Sequence, residues 1–313
     1  MTRKGAAVDD WVLRYLKDEE PRSKSLMISA FGDSIAPYAD GIWLGDFIAL
    51  LAPLGLNERL VRTSAFRLIE EGWLRARREG RRSYYALTTK GARRFETAYS
   101  HIYTSAQETW DGQWTLVLMP RNGDTSADRL ELKRELEWAG FASPTTGVLI
   151  HPTFAVSEVR TLIDRYGLRE HAVVMRGHAA EELGAEQGNG LLSRSWDLAA
   201  AEERYEQFLS RFDPLMTRLD VKNISPLQAF LVQTLLIHSF RRASLQDPRL
   251  PLPMLPSDWI GTRAFEVCRE IYSRTCAATL RHLQSLPGLE ISDPRGGRLR
   301  MAVSERFGGV KLG

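Results

Sequence analysis

The chain has 313 residues, of which 43% are apolar and 26% charged, and its formal net charge is only +3. This composition is typical of globular proteins and excludes fibrous and disordered chains, while the length favours two or three folded units. Cys268 and Cys276 lack any metal-ligand pattern around them, which favours buried reduced thiols over a disulfide scaffold. No apolar signal segment begins the sequence, and its most apolar stretch, 227–240, is too short to span a membrane. We therefore expect a cytoplasmic protein with no membrane partner.

The first segment, residues 1–105, contains helices followed by a hairpin. Apolar spacing and end signals predict helices at Ser23–Ser34, Trp43–Leu51, Asn57–Glu71 and from Thr88 or Thr89 onward. Ser23 and Asn57 are the expected N-caps. Strands are predicted at Trp73–Arg78 and Ser83–Leu87, with a tight turn at Glu79-Gly80. This order predicts a winged helix-turn-helix domain with an extra N-terminal helix.

Positive charge is concentrated in this first segment. Between Asn57 and Arg94 there are 11 lysines and arginines against 4 acids, a local charge of 11 − 4 = +7. Because the whole chain is +3, the remainder carries 3 − 7 = −4. A basic segment in an otherwise acidic protein predicts an anion-binding surface.

Helical geometry predicts which side chains of the third helix meet an anion. With Val61 at the buried centre and a rotation of about 100° per residue, the opposite face carries Arg59, Arg62, Thr63, Phe66, Arg67 and Glu70. Guanidinium groups bind guanine edges, and the hairpin tip places further arginines where a wing meets phosphates. The predicted DNA-binding residues are Asn57, Arg59, Arg62, Thr63, Arg67, Arg78, Arg81 and Arg82.

A second interpretation of the same surface is a solvated basic face. The chain would then be a winged-helix scaffold that binds proteins and does not touch DNA. Salt dependence separates the two hypotheses, because DNA affinity falls steeply as salt is added.

The second segment, residues 106–190, shows a β-α-β-β-α-β order. Strands are expected at Trp114–Met119, within Phe141–His151 and at His171–Arg176, with helices at Ser126–Ala139 and Ser157–Tyr166. This order predicts a ferredoxin-like domain. Its strands carry few charges, so the domain is also a candidate for dimerisation.

The third segment, residues 191–313, is predicted to be mainly helical. Helices are expected at Ser195–Arg211, Pro226–Leu245 and Gly261–Leu283. Between the last two lies the proline-rich sequence DPRLPLPMLPSDWIG, called the proline strap (residues 247–261), which cannot form a helix or a central strand. Residues 287–313 show no clear periodicity and are expected to be loosely ordered. The chain is thus an α+β multidomain protein.

With these motifs in view, the sequence resembles the PaaX-type transcriptional repressors of phenylacetic-acid catabolism. The resemblance covers nearly the full length, and its most specific motifs are WDGQW at 110–114 and DPRLPLPMLPSDW at 247–259. It implies a homodimeric repressor that binds a double-stranded DNA operator and controls an aromatic-acid catabolic operon. It also implies release of the operator by an aryl-coenzyme A thioester, phenylacetyl-CoA in the founding members, and a Cas2-like fold for the central domain.

The resemblance to a Cas2-type nuclease fold does not extend to a nuclease site. The strand from Trp114 ends in Pro120-Arg121, where that fold has a metal-binding aspartate. Asp124 and Asp128 lie on the following turn and helix start, where they are expected to cap the helix. No local catalytic or metal-binding motif occurs elsewhere. We expect no enzyme, metal or cofactor, and keep a divalent-dependent RNA nuclease as the weakest alternative.

An acyl-CoA effector requires cations for its phosphates and an apolar slot for its acyl group. His238, Arg241 and Arg242 lie on one predicted helix just before the proline strap, and Trp259 closes the strap. These four residues are the predicted effector site. The alternative is that the arginines pair with acids of the acidic C-terminal segment or cap the helix end, where the dipole favours a cation.

Overall fold

The computed structural model describes residues 3–106, 109–119, 127–178, 194–219, 223–293, 299 and 301–310. The chain forms two compact units. The larger unit contains Met1–Ser105, Arg204–Ala243 and Arg263–Gly313, and the smaller unit contains Ala106–Glu203 and Ser244–Thr262. These units do not follow the three consecutive segments of the sequence analysis, because most of the C-terminal helices pack with the first segment. That the three segments are separate domains stays a prediction.

The N-terminal part of the larger unit contains a series of helices and a small sheet. Its elements are α1 (Arg3–Glu19), α2 (Ser23–Ala30), β1 (Gly41–Trp43), α3 (Leu44–Leu51), α4 (Glu58–Glu70), β2 (Leu74–Glu79), β3 (Arg82–Leu87) and α5 (Thr89–Tyr103). The second helix continues as a π-helical turn, Phe31–Ile35. The three strands are antiparallel in the order β1-β3-β2. The predicted order of helices and hairpin is thus present. Strand β1 is an additional element, and α1 precedes the helices whose bounds were predicted.

Capping side chains fix the ends of two predicted helices. The Asn57 side chain accepts a hydrogen bond from the Leu60 amide at 3.0 Å, and Thr88 accepts one from the Gly91 amide at 2.9 Å. The Asn57 cap confirms the sequence prediction, and the Thr88 cap agrees with a helix that begins at Thr88 or Thr89. The predicted Ser23 cap is wrong, since α2 begins at Ser23 and the preceding Arg22 makes no side-chain capping bond.

The smaller unit has the predicted β-α-β-β-α-β order. Its elements are β4 (Trp114–Leu118), α6 (Ala127–Trp138), β5 (Ala142–Thr145), β6 (Val148–His151), α7 (Val156–Arg165) and β7 (Val173–Gly177). All neighbouring strands are antiparallel, in the order β5-β6-β4-β7. Because successive residues of β4 point to opposite faces, the sheet has two apolar faces: Val117 joins a cluster with α6 and α7, and Trp114 joins one with Ile150.

The proline strap belongs to the smaller unit. Leu250 and Trp259 are buried, and a short 3-10 turn covers Leu252–Met254. Met254 packs against the same apolar cluster as Trp196, whose indole stacks on Trp114 at 6.1 Å. The strap therefore packs through apolar side chains, as its composition predicts.

Three long helices complete the described elements: α8 (Leu198–Met216), α9 (Pro226–Ser244) and α10 (Ile260–Gln284). Most of each belongs to the larger unit. There Phe212 of α8 contacts Trp11 of α1 at 5.3 Å, and Gln228 of α9 donates to Asp9 at 2.8 Å. Both cysteines on α10 are buried and free, as predicted. In the part of the chain that the structure describes, no helix is long and apolar enough to cross a membrane.

Residues 303–310 correct the expectation of a loosely ordered end. They form a 3-10 turn, Val303–Gly308, in which Val303, Arg306 and Phe307 are buried. The Arg306 guanidinium donates to the Asp33 carboxylate at 2.9 Å, and both side chains are 0% exposed. Hydrophobic periodicity missed this segment because its largest buried side chain is an arginine. We call Val303–Val310 the terminal plug.

Aromatic rings surround the terminal plug. Phe307 contacts Tyr103 at 5.3 Å and Tyr272 at 5.2 Å, while Arg306 lies over the Tyr103 ring at 4.2 Å. Phe307 has a φ of 55°, a conformation that a bulky residue adopts only when its surroundings hold it there. The plug is thus an integral part of the core of the larger unit.

Candidate nucleic-acid interface

The orientation of α4 is set by its buried face. Val61, Ala65 and Leu68 are each at most 1% exposed, so the side chains on the opposite face point to solvent. Asn57 fixes the start of the helix, and Gly72, at φ 71°, follows its end. The helix therefore has one firmly packed face and one solvent face.

The solvent face of α4 carries every residue predicted for it. The exposed side chains are Arg59, Arg62, Thr63, Phe66, Arg67 and Glu70. Arg62 pairs with Glu58 one turn earlier, at 2.7 Å. Among the described residues, no hydrogen-bond or ion-pair partner contacts the guanidinium group of Arg59 or of Arg67. These two guanidinium groups are therefore the ones on α4 that can bind an anion without breaking an existing pair.

The hairpin of β2 and β3 turns one residue later than predicted. Glu79 pairs with Arg82 across the ladder, so the turn consists of Gly80 and Arg81. Gly80 has a φ of 58°, which a tight hairpin turn requires and which glycine adopts without strain. Arg81 is consequently the residue at the tip, and its side chain is exposed.

The three arginines predicted at the hairpin tip do not share a face. Arg78 pairs with Ser83, and Glu79 pairs with Arg82. Since cross-strand partners share a face and successive residues alternate, Arg78 and Arg82 point to opposite faces of the hairpin. The structure thus brings Arg82 together with Arg77, which the sequence analysis did not select.

An aromatic stack occupies the face with Arg77 and Arg82. The Arg82 guanidinium lies 4.2 Å from the Trp43 ring centroid, and Arg77 lies 5.3 Å from that of Tyr84. The rings of Trp43 and Tyr84 are 5.1 Å apart. Arg77 also pairs with Glu79 at 2.8 Å. Burial raises the pKa of Tyr84, with a further increase from the charge of Glu290 and an opposing effect of Arg77.

Acidic partners distinguish the hairpin arginines further. Arg82 approaches Asp46 of α3 at 3.8 Å, whereas within the described ranges no ion pair or hydrogen bond involves the guanidinium group of Arg78 or of Arg81. The exposed cations that can bind an anion without losing an existing partner are therefore Arg59, Arg67, Arg78 and Arg81. Arg77 is paired with Tyr84 across the hairpin. Arg77 was missed in the sequence analysis because this pairing depends on the strand register, which the predicted turn placed one residue too early.

The predicted effector residues lie in three different environments. His238 is buried beside Ser29, at 3.3 Å between Nδ1 and Oγ, and burial together with the nearby Arg241 and Arg242 lowers its pKa to about 3. It is therefore neutral at pH 7 and adds no cation to a phosphate site. Arg241 donates to the Ser25 hydroxyl at 2.8 Å.

The remaining two effector residues differ in exposure. Arg242 is exposed and lies 3.5 Å from Glu19, and Trp259 is buried in the smaller unit. As far as the structure describes the chain, neither arginine pairs with an acid of the C-terminal segment, since Arg241 bonds Ser25 and Arg242 approaches Glu19 of α1. Both lie in the last turn of α9, as the helix-end alternative requires. The effector site stays a prediction.

The weak nuclease alternative gains no support from the described residues. Asp124 lies outside them, and Asp128 is exposed in the first turn of α6. Within the described part of the chain, no group of three or more histidine, cysteine, aspartate or glutamate side chains is arranged to hold a metal ion.

Comparison with known proteins identifies three consecutive family models along the chain. They are described as PaaX-like protein at residues 22–91, PaaX protein central Cas2-like domain at 107–188, and PaaX-like protein C-terminal domain at 196–285. The first of these spans α2 to β3 and so includes α4 and the β2–β3 hairpin.

Two individual proteins show the extent of the similarity. The chain is 35% identical, over 291 residues, to a protein of Escherichia coli (strain K12) named transcriptional repressor PaaX; the match covers 92% of this chain and 90% of that protein. A solved structure of an uncharacterized protein from Mycobacterium tuberculosis is 20% identical, with a TM-score of 0.42, and covers 75% of this chain and 90% of its own.

Proposed function

The chain belongs to the PaaX-like family, and from this premise we propose that it is a transcriptional repressor that binds double-stranded DNA. The observation that carries the proposal is the solvent face of α4, whose unpaired arginines lie within the family's N-terminal model. In this proposal α2, α3 and α4 with the β2–β3 hairpin form a winged helix-turn-helix. The protein acts in the cytoplasm and is not an enzyme.

The exposed arginines divide by position into two roles. Arg59 and Arg67 lie on α4, which enters the major groove, and they are proposed to contact guanine edges. Arg62 is proposed to contact a base as well, after its ion pair with Glu58 breaks. Breaking this pair costs little free energy because both side chains are exposed. Arg78 and Arg81 are proposed to contact DNA phosphates. Asn57 and Thr63 are proposed to lie near the sugar-phosphate backbone and the bases of the DNA.

We further propose that two copies of the chain bind one operator. A homodimer would place two α4 helices on an inverted repeat whose half-sites are about 34 Å, or a multiple of it, apart. The smaller unit, with its antiparallel sheet, is the proposed place of dimerisation.

The test of DNA binding is selection of bound duplexes from a random pool, followed by gel shifts on the selected operator. Arg67→Ala should weaken binding by about 1–3 kcal/mol and relax the preference at one operator position. Arg134→Ala is the matched control, because Arg134 is also an exposed helical arginine, on α6, but already pairs with Glu131. If no duplex is enriched and no fragment shifts even at about 50 mM salt, the scaffold hypothesis replaces this one.

We propose an aryl-CoA thioester, such as phenylacetyl-CoA, as the effector that releases the operator of an aromatic-acid catabolic operon. Release requires that the thioester bind the DNA-incompetent state more tightly than the competent state. Phenylacetyl-CoA should abolish the gel shift, whereas phenylacetate and free coenzyme A should not. Arg242→Ala should raise the concentration needed, if the predicted site is right. A shift that no acyl-CoA alters would remove the effector proposal and leave DNA binding intact.

A further inference from the structure

Phe66 lies at the centre of the solvent face of α4. The buried side chains Val61, Ala65 and Leu68 define the opposite side, and at about 100° per residue Phe66 and Arg59 fall almost on one line along the exposed side. Arg62 lies one turn before Phe66, and Arg67 is the next residue. Glu70 lies one turn after Phe66, so on this face the ring has two arginines and one glutamate as its neighbours.

The Phe66 side chain does not contribute to the packing of α4 against the protein. Its side chain is 60% exposed, while the apolar contacts of α4 are made on the other face. Other large apolar side chains are exposed in this protein, such as Leu130 and Trp138. What distinguishes Phe66 is its position among exposed cations, on a surface that attracts a polyanion.

The chemistry of DNA limits what a phenyl ring can recognise there. Within the major groove, the edges of the base pairs present hydrogen-bond donors and acceptors, and the single apolar group among them is the 5-methyl of thymine. A phenyl ring has no hydrogen-bonding atoms to satisfy the other edges. An apolar side chain at the centre of a recognition face is thus suited to one base.

We propose that Phe66 contacts the methyl group of a thymine and thereby determines the base pair at one position of each operator half-site. This inference rests on the proposed function, because it names what the same face recognises. It assigns Phe66 as a specificity-determining residue on the same helix face as the arginines proposed to contact guanines.

Replacing thymine by uracil tests the contact, because uracil pairs like thymine and lacks only the methyl group. Each thymine of the selected operator is changed to uracil in turn, and gel shifts are run with wild type and Phe66→Ala. Wild type should lose about three- to fivefold in affinity at one thymine per half-site, the value of burying one methyl group. Phe66→Ala should bind the thymine duplex and the uracil duplex with equal affinity.

Leu60→Ala is the matched control, since Leu60 is 41% exposed on the same helix and lies toward the edge of the solvent face. This variant should keep the wild-type sensitivity to uracil. Phe66→Leu retains an apolar side chain and should keep part of the sensitivity to uracil. This variant replaces Phe66→Ala in the test if Phe66→Ala loses its helical circular dichroism.

The possible outcomes separate this inference from the function on which it rests. If no duplex is bound by wild type, the proposed function fails. If wild type binds but no thymine shows a methyl effect that Phe66→Ala removes, the Phe66 contact is wrong and DNA binding stands. Equal affinity of wild type and Phe66→Ala for every duplex likewise overturns the contact.

Discussion

A buried ion pair fixes the terminal plug. The Asp33 carboxylate accepts hydrogen bonds from Arg306 at 2.9 Å, Tyr103 at 2.7 Å and Gln233 at 2.8 Å. Arg306 also donates to the Tyr272 hydroxyl at 2.6 Å. Burying the carboxylate and the guanidinium costs desolvation free energy, and this cost is offset only while these partners are present. Each residue therefore stabilises the fold only in the presence of the other.

Removing one partner of this pair should destabilise the protein strongly. Arg306→Leu leaves the Asp33 carboxylate buried without its cation, and we expect the free energy of unfolding to fall by about 3–5 kcal/mol. Urea unfolding followed by circular dichroism measures the change. As a control, Arg263→Ala breaks an exposed pair with Asp213 and should cost less than about 1 kcal/mol. Similar unfolding midpoints for the two variants would contradict a structural role for the buried pair.

At the scale of the element, the hairpin presents two kinds of arginine. Arg81 occupies the turn, while Arg82 lies on Trp43 and near Asp46. A cation that is already stacked on a ring and close to a carboxylate gives up these interactions when it moves to a phosphate. The hairpin tip is thus the part of this element best suited to neutralise a DNA phosphate.

The salt dependence of DNA binding should follow this distinction. Removing one arginine that neutralises a phosphate makes the negative slope of log affinity against log salt about 0.9 shallower, so Arg81→Ala should show that change. We expect Arg82→Ala to change the slope less, because its guanidinium is already engaged. Gel shifts of one operator at several salt concentrations give the slopes, with Arg134→Ala as control. An unchanged slope for Arg81→Ala would place the hairpin tip away from the phosphates.

The elements that the sequence predicted well are those specified by local chemistry. The third helix, α4, is specified by the Asn57 cap and by apolar spacing, and the hairpin by Gly80 between two strands. Strand β1 was missed because it has only three residues and depends on pairing with β3. The solvent face of α4 was predicted in full, whereas the faces of the hairpin required the strand register.

For the whole molecule, the sequence predicted the succession of segments better than their association. A linear sequence indicates divisions where composition changes, as at the proline strap. It does not indicate that Arg204–Ala243 and Arg263–Gly313 pack with Met1–Ser105, because those segments are far apart in sequence. The terminal plug was missed for the same reason, since the partner of Arg306 lies 273 positions earlier, at Asp33.

The terminal plug also sets the order of events during protein synthesis. A ribosome has finished α4 and the hairpin more than two hundred residues before it reaches Arg306. Until then Asp33 and the surrounding tyrosines lack their guanidinium, and the core of the larger unit is incomplete. A nascent chain still attached to its messenger RNA therefore carries the arginine face without the finished core. Folding of the larger unit can be completed only after Arg306 and Phe307 have been translated.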